Sequence, residues 1–447
     1  MIESWLKKGR EQTKTGDFHA AAHSFGEAIR LNPTSPEPYL RLGKLLLPLQ
    51  WWEKAQSCFC RAIELQPHYP EAYNLLGIAL KKMRCFEKAI DCFQEAIRQK
   101  PGYCAAFHNL GNCFTLANRL DEAEEAYQKA LQLQPDLPES QFCLGILYLL
   151  QGKYEEGLRL YEARFSGKRR FRLTIPIWQG EQLTGCRILL FYEQGFGDMM
   201  QFIRYAFEIA KMAAVTTVWI QPPLKRLLSE NQSLFSVCDD DRTLDPGNFD
   251  FACSIMSLPH RFNLRLETIP RSIPYIHPAQ ATVKKWSDLI NKMASGNLKV
   301  GIAWAGDPDH SDDSVRSIPF ELISSLFDLE CVDWFSLQVS EDSKASGNVS
   351  GRLVDFSAKF IDFAETSGMI AALDMVISVD TAVAHLAGAM GKTVWLLLPI
   401  QPDWRWGLTG TESHWYSSMR IFRQEESENW ATVLEKVKSE LKNLCPV

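Results

Sequence analysis

Three short stretches of this chain carry residues suited to phosphate or proton chemistry. Glu193-Gln194-Gly195-Phe196-Gly197-Asp198 opens an amphipathic helix with two glycines and an acid. Such glycines let a substrate approach the backbone, and the carboxylate can accept a proton; a helix-capping Asp is the plainer reading. Trp304-Ala305-Gly306 ends a strand, and Arg316-Ser317 precedes the next helix. An arginine fork bonds two phosphate oxygens at once, although internal Asp–Arg pairing in a polar loop accounts for the same residues. Met375 through Pro399 reads as a buried strand, a polar turn, a short helix closed by Gly391 and a second buried strand. Asp380 and Thr381 stand at the strand's carboxyl end, where open α/β sheets hold ligands, and the helix's first N–H groups form a phosphate site. Ala384, Ala387 and Gly388 are small enough to let something come close to that helix.

The elements that position these residues follow from patterning. Residues 1–165 repeat every 34 positions: Pro33, Pro67, Pro101 and Pro135; Gly9, Gly43, Gly77, Gly111 and Gly145; Phe25, Phe59, Phe93, Tyr127 and Tyr161. Small residues allow close helix contact, the aromatics fill the gaps and proline stops the second helix. These residues resemble the tetratricopeptide repeat, five copies of which make an α-solenoid able to hold an extended peptide. Arg41, Asn74, His108 and Asn109 are the candidate groove residues, the two asparagines offering amides to a peptide backbone. A solvated face, or an array serving as scaffold or homo-oligomerisation arm, is the plainer alternative.

Residues 166–183 read as a linker containing the basic run Gly167–Arg172. Beyond it, alternating apolar runs and amphipathic stretches describe parallel sheets flanked by helices, divided as 184–280 and 281–447. Two Rossmann-like lobes around a cleft fit this alternation, and so does one large doubly wound sheet.

A net charge of −6 gives no support for nucleic-acid binding, and no apolar run is long enough to span a bilayer. A cytoplasmic protein is expected, and the 12 scattered cysteines read as free buried thiols of a reducing compartment. The full GxGxxG fingerprint is absent, which argues against a nicotinamide enzyme.

Taken in order, Glu193 through Tyr205, Trp304 through Ser317 and Asp380-Thr381-Ala382-Val383-Ala384-His385 resemble heptosyltransferase-like glycosyltransferases of the GT-B fold (glycosyltransferase family 9). More closely, the chain is similar to bacterial proteins in which a tetratricopeptide array precedes such a domain. The resemblance implies an inverting, metal-independent transferase that uses a nucleotide-sugar and no cofactor. It casts Asp198 as catalytic base and places Arg316 where the family carries a lysine on the donor phosphates. Gln194, Gly195, Gly197, Gln201, Trp304 and Gly306 would line the donor site. Asp380, Thr381 and His385 would surround the sugar and diphosphate, and Gln338 would hold ribose or base. Two departures leave the donor open: a longer loop from Asp307 to Val315, and Ala382 in place of a usual glycine. The acceptor would be a protein or peptide brought by the array. A lipid-linked or surface glycan, and a non-catalytic adaptor with a degenerate transferase domain, are the alternatives.

Three further features carry less. Asp239-Asp240-Asp241 and Asp307-Pro308-Asp309 form D-x-D patterns, which read as solvated acids more readily than as metal ligands. His310 is a rival base in the same loop, and Pro402-Asp403-Trp404-Arg405-Trp406 is an aromatic turn that could stack on a sugar or simply pack a loop.

Overall fold

The computed structural model describes residues 1–166, 174–229, 234–309, 313–339, 352–426 and 429–445. The basic run from Gly167 and the loop histidine His310 therefore lie outside the described residues, as does the side chain of Asp241. The chain divides into two compact units: Met1–Tyr148 with Arg159–Arg170, and Leu149–Leu158 with Phe171–Val447.

The first unit is built from helix pairs at the expected period. Ile2–Lys14 pairs with Phe18–Leu31, Pro36–Leu46 with Trp52–Leu65, Pro70–Lys82 with Phe86–Gln99, and Cys104–Leu116 with Leu120–Leu133. A methyl group added at Gly77 would lie 2.6 Å from the Phe93 ring, and Gly43 and Gly111 meet Phe59 and Tyr127 in the same way. The glycine is thus the socket for the next helix's aromatic, and that aromatic is buried in each pair. Each turn between paired helices needs one left-handed residue. Gly16 supplies it first, but Gln50, Arg84 and Asn118 take φ near 60° at the equivalent places, at a cost of about 1 kcal/mol or more each.

The second unit holds two parallel sheets. In the first, β1 (Arg187–Phe191), β2 (Val215–Trp219), β3 (Ser236–Cys238) and β4 (Phe251–Ser254) lie in the order β3-β2-β1-β4. The second comprises β5 (Leu298–Ala303), β6 (Val332–Ser336), β7 (Leu353–Asp355), β8 (Met375–Val379), β9 (Thr393–Leu398) and β10 (Met419–Arg423), ordered β10-β9-β8-β5-β6-β7. A single continuous sheet is thereby excluded. The strand order reverses between β1 and β4 and again between β5 and β8, so each sheet has a crevice at the carboxyl ends of those strands. Part of the expected linker belongs to the first sheet: Ile177 bridges Ala252, Trp178 N–H donates to the Ala252 carbonyl at 2.8 Å, and the Trp178 ring is buried.

Two features fix how the sheets and their outer helices hold together. Arg226 of the first lobe donates to both Asp362 oxygens at 2.7 and 2.9 Å and to Glu365 at 2.8 Å, across to the start of helix Phe363–Ala372. Glu365 is buried and also accepts from Lys285 at 2.8 Å and Trp286 Nε1 at 2.7 Å. Burial alone would raise its carboxyl, but the hydrogen bonds from Lys285, Arg226 and Trp286 outweigh it and bring the group down to about 2. The second feature corrects the thiol expectation. Cys331, just ahead of β6, and Cys445, at the end of helix Trp430–Leu444, form a disulfide with Cα atoms 5.8 Å apart. Packing brings together residues separated by 114 positions, so no spacing rule could pair them. The other ten cysteines form no disulfide among the described residues, but the cysteine argument for a reducing compartment no longer stands.

Two outcomes are expected. Alkylation of denatured, unreduced protein should label ten cysteines and reduction should raise this to twelve; twelve before reduction would remove the disulfide. Glu365 titrates lower folded than unfolded, so its contribution is full above about pH 4.5 and is lost as the pH falls towards 2. Glu365→Gln should therefore cost on the order of 2 kcal/mol at neutral pH, reduced from the full shift because Lys285 and Arg226 are partly exposed. In urea unfolding the gap from the parent should narrow between about pH 5 and pH 3, whereas a constant gap would contradict the account.

Candidate functional site

Both crevices converge on one seam. In the first sheet, Glu193 follows β1 and accepts from the Ser254 hydroxyl at the end of β4, across the reversal. Gln194 and Gly195 are exposed, and the Gln194 carbonyl accepts from Gln221 at 2.9 Å. Helix Phe196–Phe202 begins here, with Gly195 N–H donating to Asp198 Oδ2 at 2.9 Å. Asp198 does cap the helix, as the plainer reading had it, but its Oδ1 is paired with Arg405 from the second sheet's loop after β9.

That guanidinium is nearly inaccessible and meets Asp198 and, at 4.0 Å, Met256 Sδ through Nη2, Gln201 Oε1 through Nε at 2.7 Å and Asp403 Oδ1 through Nη1 at 2.8 Å. A second buried cation crosses the seam from the first lobe. Arg204 donates to the Trp415 carbonyl at 2.9 Å and the Tyr275 hydroxyl at 2.8 Å, with the Tyr275 and Tyr416 rings 4.7 and 4.9 Å away. Its charge is met by carbonyls, a phenol and ring faces, which stabilise a weakly hydrated guanidinium.

In the second sheet, Thr381 precedes helix Ala382–Ala389 and its hydroxyl lies 3.0 Å from that of Ser378. His385 on this helix pairs through Nδ1 with Tyr416 at 3.0 Å, stacks on Trp406, and places Nε2 3.6 Å from Asp380 Oδ1. Burial works against charge on Asp380, but His385, Trp406 and Arg405 prevail and hold its carboxyl below the ordinary value. Asp403 goes the other way: burial raises it, Arg405 draws it down, Asp380 pushes it up, and the net is a raised carboxyl. The small residues on this helix do admit close neighbours, but those neighbours are protein. A methyl at Gly388 would lie 2.6 Å from Tyr416, and one at Gly197 would lie 2.7 Å from His385 Cδ2. Gly197 therefore serves contact between the two lobes.

The adjacent strand end carries the arginine. Register pairs Ala303 of β5 with Ser378 of β8, so the turns bearing Gly306 and Thr381 leave neighbouring strands. The Arg316 guanidinium lies against Gly306, held at 3.2 Å by Asp313, and Ser317 links Asp313 to the Gly306 N–H. The Asp–Arg pairing of the plainer reading is present, with Arg316 still at the crevice.

Several expected site residues have other occupations. Gln338 accepts from Trp304 N–H at 3.2 Å and Ala305 N–H at 3.0 Å and donates to the Ala305 carbonyl, so its buried amide joins strand ends instead of facing a nucleotide. Trp304 is core, packed on Phe320, and Gln201 is fully buried beneath Arg405. The rings of Trp404 and Trp406 are buried against Trp415, Phe202 and His385, which settles the 402–406 turn as packing. Asp239 and Asp240 pair with Lys225 and Arg242, and Asp307 accepts from the Asp309 backbone. In the array, Asn109 donates to Asn74 at 3.0 Å, so each amide is partly spent on the other. His108 bonds Ser140 and Asn112, and Arg41 pairs with Glu37. Sequence reasoning missed the Arg405–Asp198 pair; the trace available was an arginine between two tryptophans, a setting in which a buried cation needs a partner.

Tetratricopeptide repeat models match residues 2–35, 36–69, 70–103, 104–137 and 126–159. A curated relative, protein FlbA of Caulobacter vibrioides, is 24% identical over 321 residues, 65% of this chain and 52% of its own length. The chain thus spans about half of that relative, and the match is longer than the array. Among solved structures, MamA of Desulfovibrio magneticus is 21% identical over 37% of this chain and 97% of its own, with a TM-score of 0.35. A tetratricopeptide protein of Thermus thermophilus is 25% identical over 38% of this chain and 93% of its own, with a TM-score of 0.34. The repeats make protein binding the role of the first unit. Among the described residues no helix is long and apolar enough to cross a membrane.

The glycines give a contrast to test. Gly197→Ala should cost about 1–3 kcal/mol in thermal unfolding, because His385 is held between Trp406 and Tyr416 and cannot retreat. Gly195→Ala, whose added methyl meets only Asp198 at 3.4 Å, should stay within about 1 kcal/mol of the parent. Equal costs would mean that the close approach at Gly197 is not real.

Proposed function

We propose that the second unit is an inverting, metal-independent glycosyltransferase of GT-B architecture, and that the first unit recruits its protein or peptide acceptor. The observation that carries this is the placement of Asp198, at the first sheet's crevice and across a seam from Asp380, Thr381 and His385. Arg316, against Gly306 at the end of the neighbouring strand, supports the same reading as a cation available to phosphate.

In this reading the donor diphosphate lies against Arg316 and the first N–H groups of helix Ala382–Ala389, which have no partner inside the helix. An acceptor hydroxyl attacks the sugar's anomeric carbon. The new carbon–oxygen bond forms as the bond to the phosphate oxygen breaks, the hydroxyl proton passes to Asp198, and the nucleoside diphosphate departs. Arg316 and the helix N–H groups take up the developing negative charge. Proton removal of this kind is worth about 10²–10⁴ in rate, and orientation of the acceptor adds more.

A second reading has its own support. Both Asp198 oxygens are engaged, and His385, Trp406 and Arg405 fill much of the seam, as they would in an adaptor whose transferase domain has become a scaffold.

Unfolding temperatures measured with UDP, ADP, GDP and CDP separate the two. Transferase function predicts that one of them raises the midpoint, as any ligand specific to the folded state does. It also predicts that Asp198→Asn lowers transfer from the matching sugar nucleotide by about 10²-fold or more with the fold intact. No shift with any nucleotide and no turnover would leave the adaptor.

A further inference from the structure

We infer that Arg405 is the positioning residue for Asp198: it holds the carboxylate from the opposite sheet, so that Asp198 is aligned only while the two sheets are docked. This rests on the transferase reading above. All three nitrogens of the Arg405 guanidinium are engaged, with Asp198, Met256 and Gln201 of the first lobe and with Asp403 of its own loop. Asp403 fixes the near end, accepting from both the Arg405 backbone N–H at 2.9 Å and Nη1. Gln201 fixes the Nε edge, and its own Nε2 has no partner among the described residues, so Arg405 alone orients that amide. The guanidinium also lies against the Phe202 and Trp404 rings, 5.3 and 4.8 Å from their centres. The remaining nitrogen, Nη2, is directed at Asp198, with Met256 Sδ 4.0 Å from the same atom.

This is far more restraint than an ion pair requires, and it fixes direction as well as charge. Asp198 Oδ2 is tied to Gly195 N–H while Oδ1 takes Arg405, which sets the plane of the carboxylate. Each oxygen of a carboxylate has two acceptor positions, so an incoming hydroxyl still finds one open. A donor phosphate would reach Arg405 only by displacing partners already in place, which separates its role from that of Arg316.

The test begins with the parent protein and UDP-glucose, UDP-N-acetylglucosamine, GDP-mannose and ADP-glucose, following release of the nucleoside diphosphate. With whichever is turned over, Arg405→Ala should lose about 10²-fold in kcat while KM for the sugar nucleotide stays within about threefold. Guanidinium chloride at tens of millimolar should restore about tenfold or more of that loss, which a merely structural defect would not allow. Arg405→Lys keeps the charge but, as a compact ammonium, cannot span partners spaced around a planar fork, and should also fall in kcat. A raised KM with unchanged kcat would overturn the inference, because Arg405 would then be holding the donor; so would a folded Arg405→Ala that guanidinium leaves unrescued. If Arg405→Ala does not fold, Arg405→Lys decides: a parent-like kcat overturns the proposal and a fall in kcat without a KM change supports it. A parent inactive with every sugar nucleotide overturns the transferase reading and this inference with it.

Discussion

A buried guanidinium cannot be left half satisfied, and the second unit is arranged around that constraint. Taking such a charge out of water costs several kcal/mol unless hydrogen bonds and counter-charge meet it in place. Arg405 reaches from the second sheet to Asp198 and Gln201, and Arg204 reaches from the first lobe to Trp415. Each has a hydrogen-bond partner in the opposite lobe, so these contacts favour one docking of the sheets over its neighbours. The proximity of Asp198, His385 and Asp380 follows from that selection. It also splits the acids by surroundings, with Asp380 held low and Asp403 held high within one cluster.

The array was legible in the sequence because its packing rule is local: a glycine opposite an aromatic, repeated at a fixed interval. What stayed hidden was the left-handed turn between paired helices. Gln50, Arg84 and Asn118 occupy it, and nothing in their types announces a positive φ. In the sheets, apolar runs showed the strand, turn, helix and strand between Met375 and Pro399, whereas β3 has only three residues, none fully buried, and left no pattern. The one amphipathic helix expected after the Glu193–Asp198 turn is two, Phe196–Phe202 and Arg204–Met212, with the break at Ile203.

The site was legible in part, for a physical reason. Strand ends and glycine turns mark where a crevice can form, and Gly306, Arg316, Asp380 and Thr381 stand there. Which side chains face a ligand and which face each other depends on pairings across long stretches of chain. Gln338 has the chemistry to hold a ribose, yet the same amide fits the neighbouring strand end and is used there. Arg405 and Asp198 lie 207 residues apart, beyond any spacing argument.

The bridge from Ile177 to Ala252 bears on how such a chain is assembled from modules. Patterning suggests a sheet domain that begins near Thr184, yet Pro176 through Trp178 extends the edge of the first sheet beside β4. A sheet domain begun at Thr184 would expose the unpaired side of β4 and lose the indole of Trp178 from its interior. Part of the stretch that reads as a linker is therefore structural sheet. Grafting a different array onto this unit would have to keep Pro176 through Trp178 with the sheets instead of cutting at Thr184.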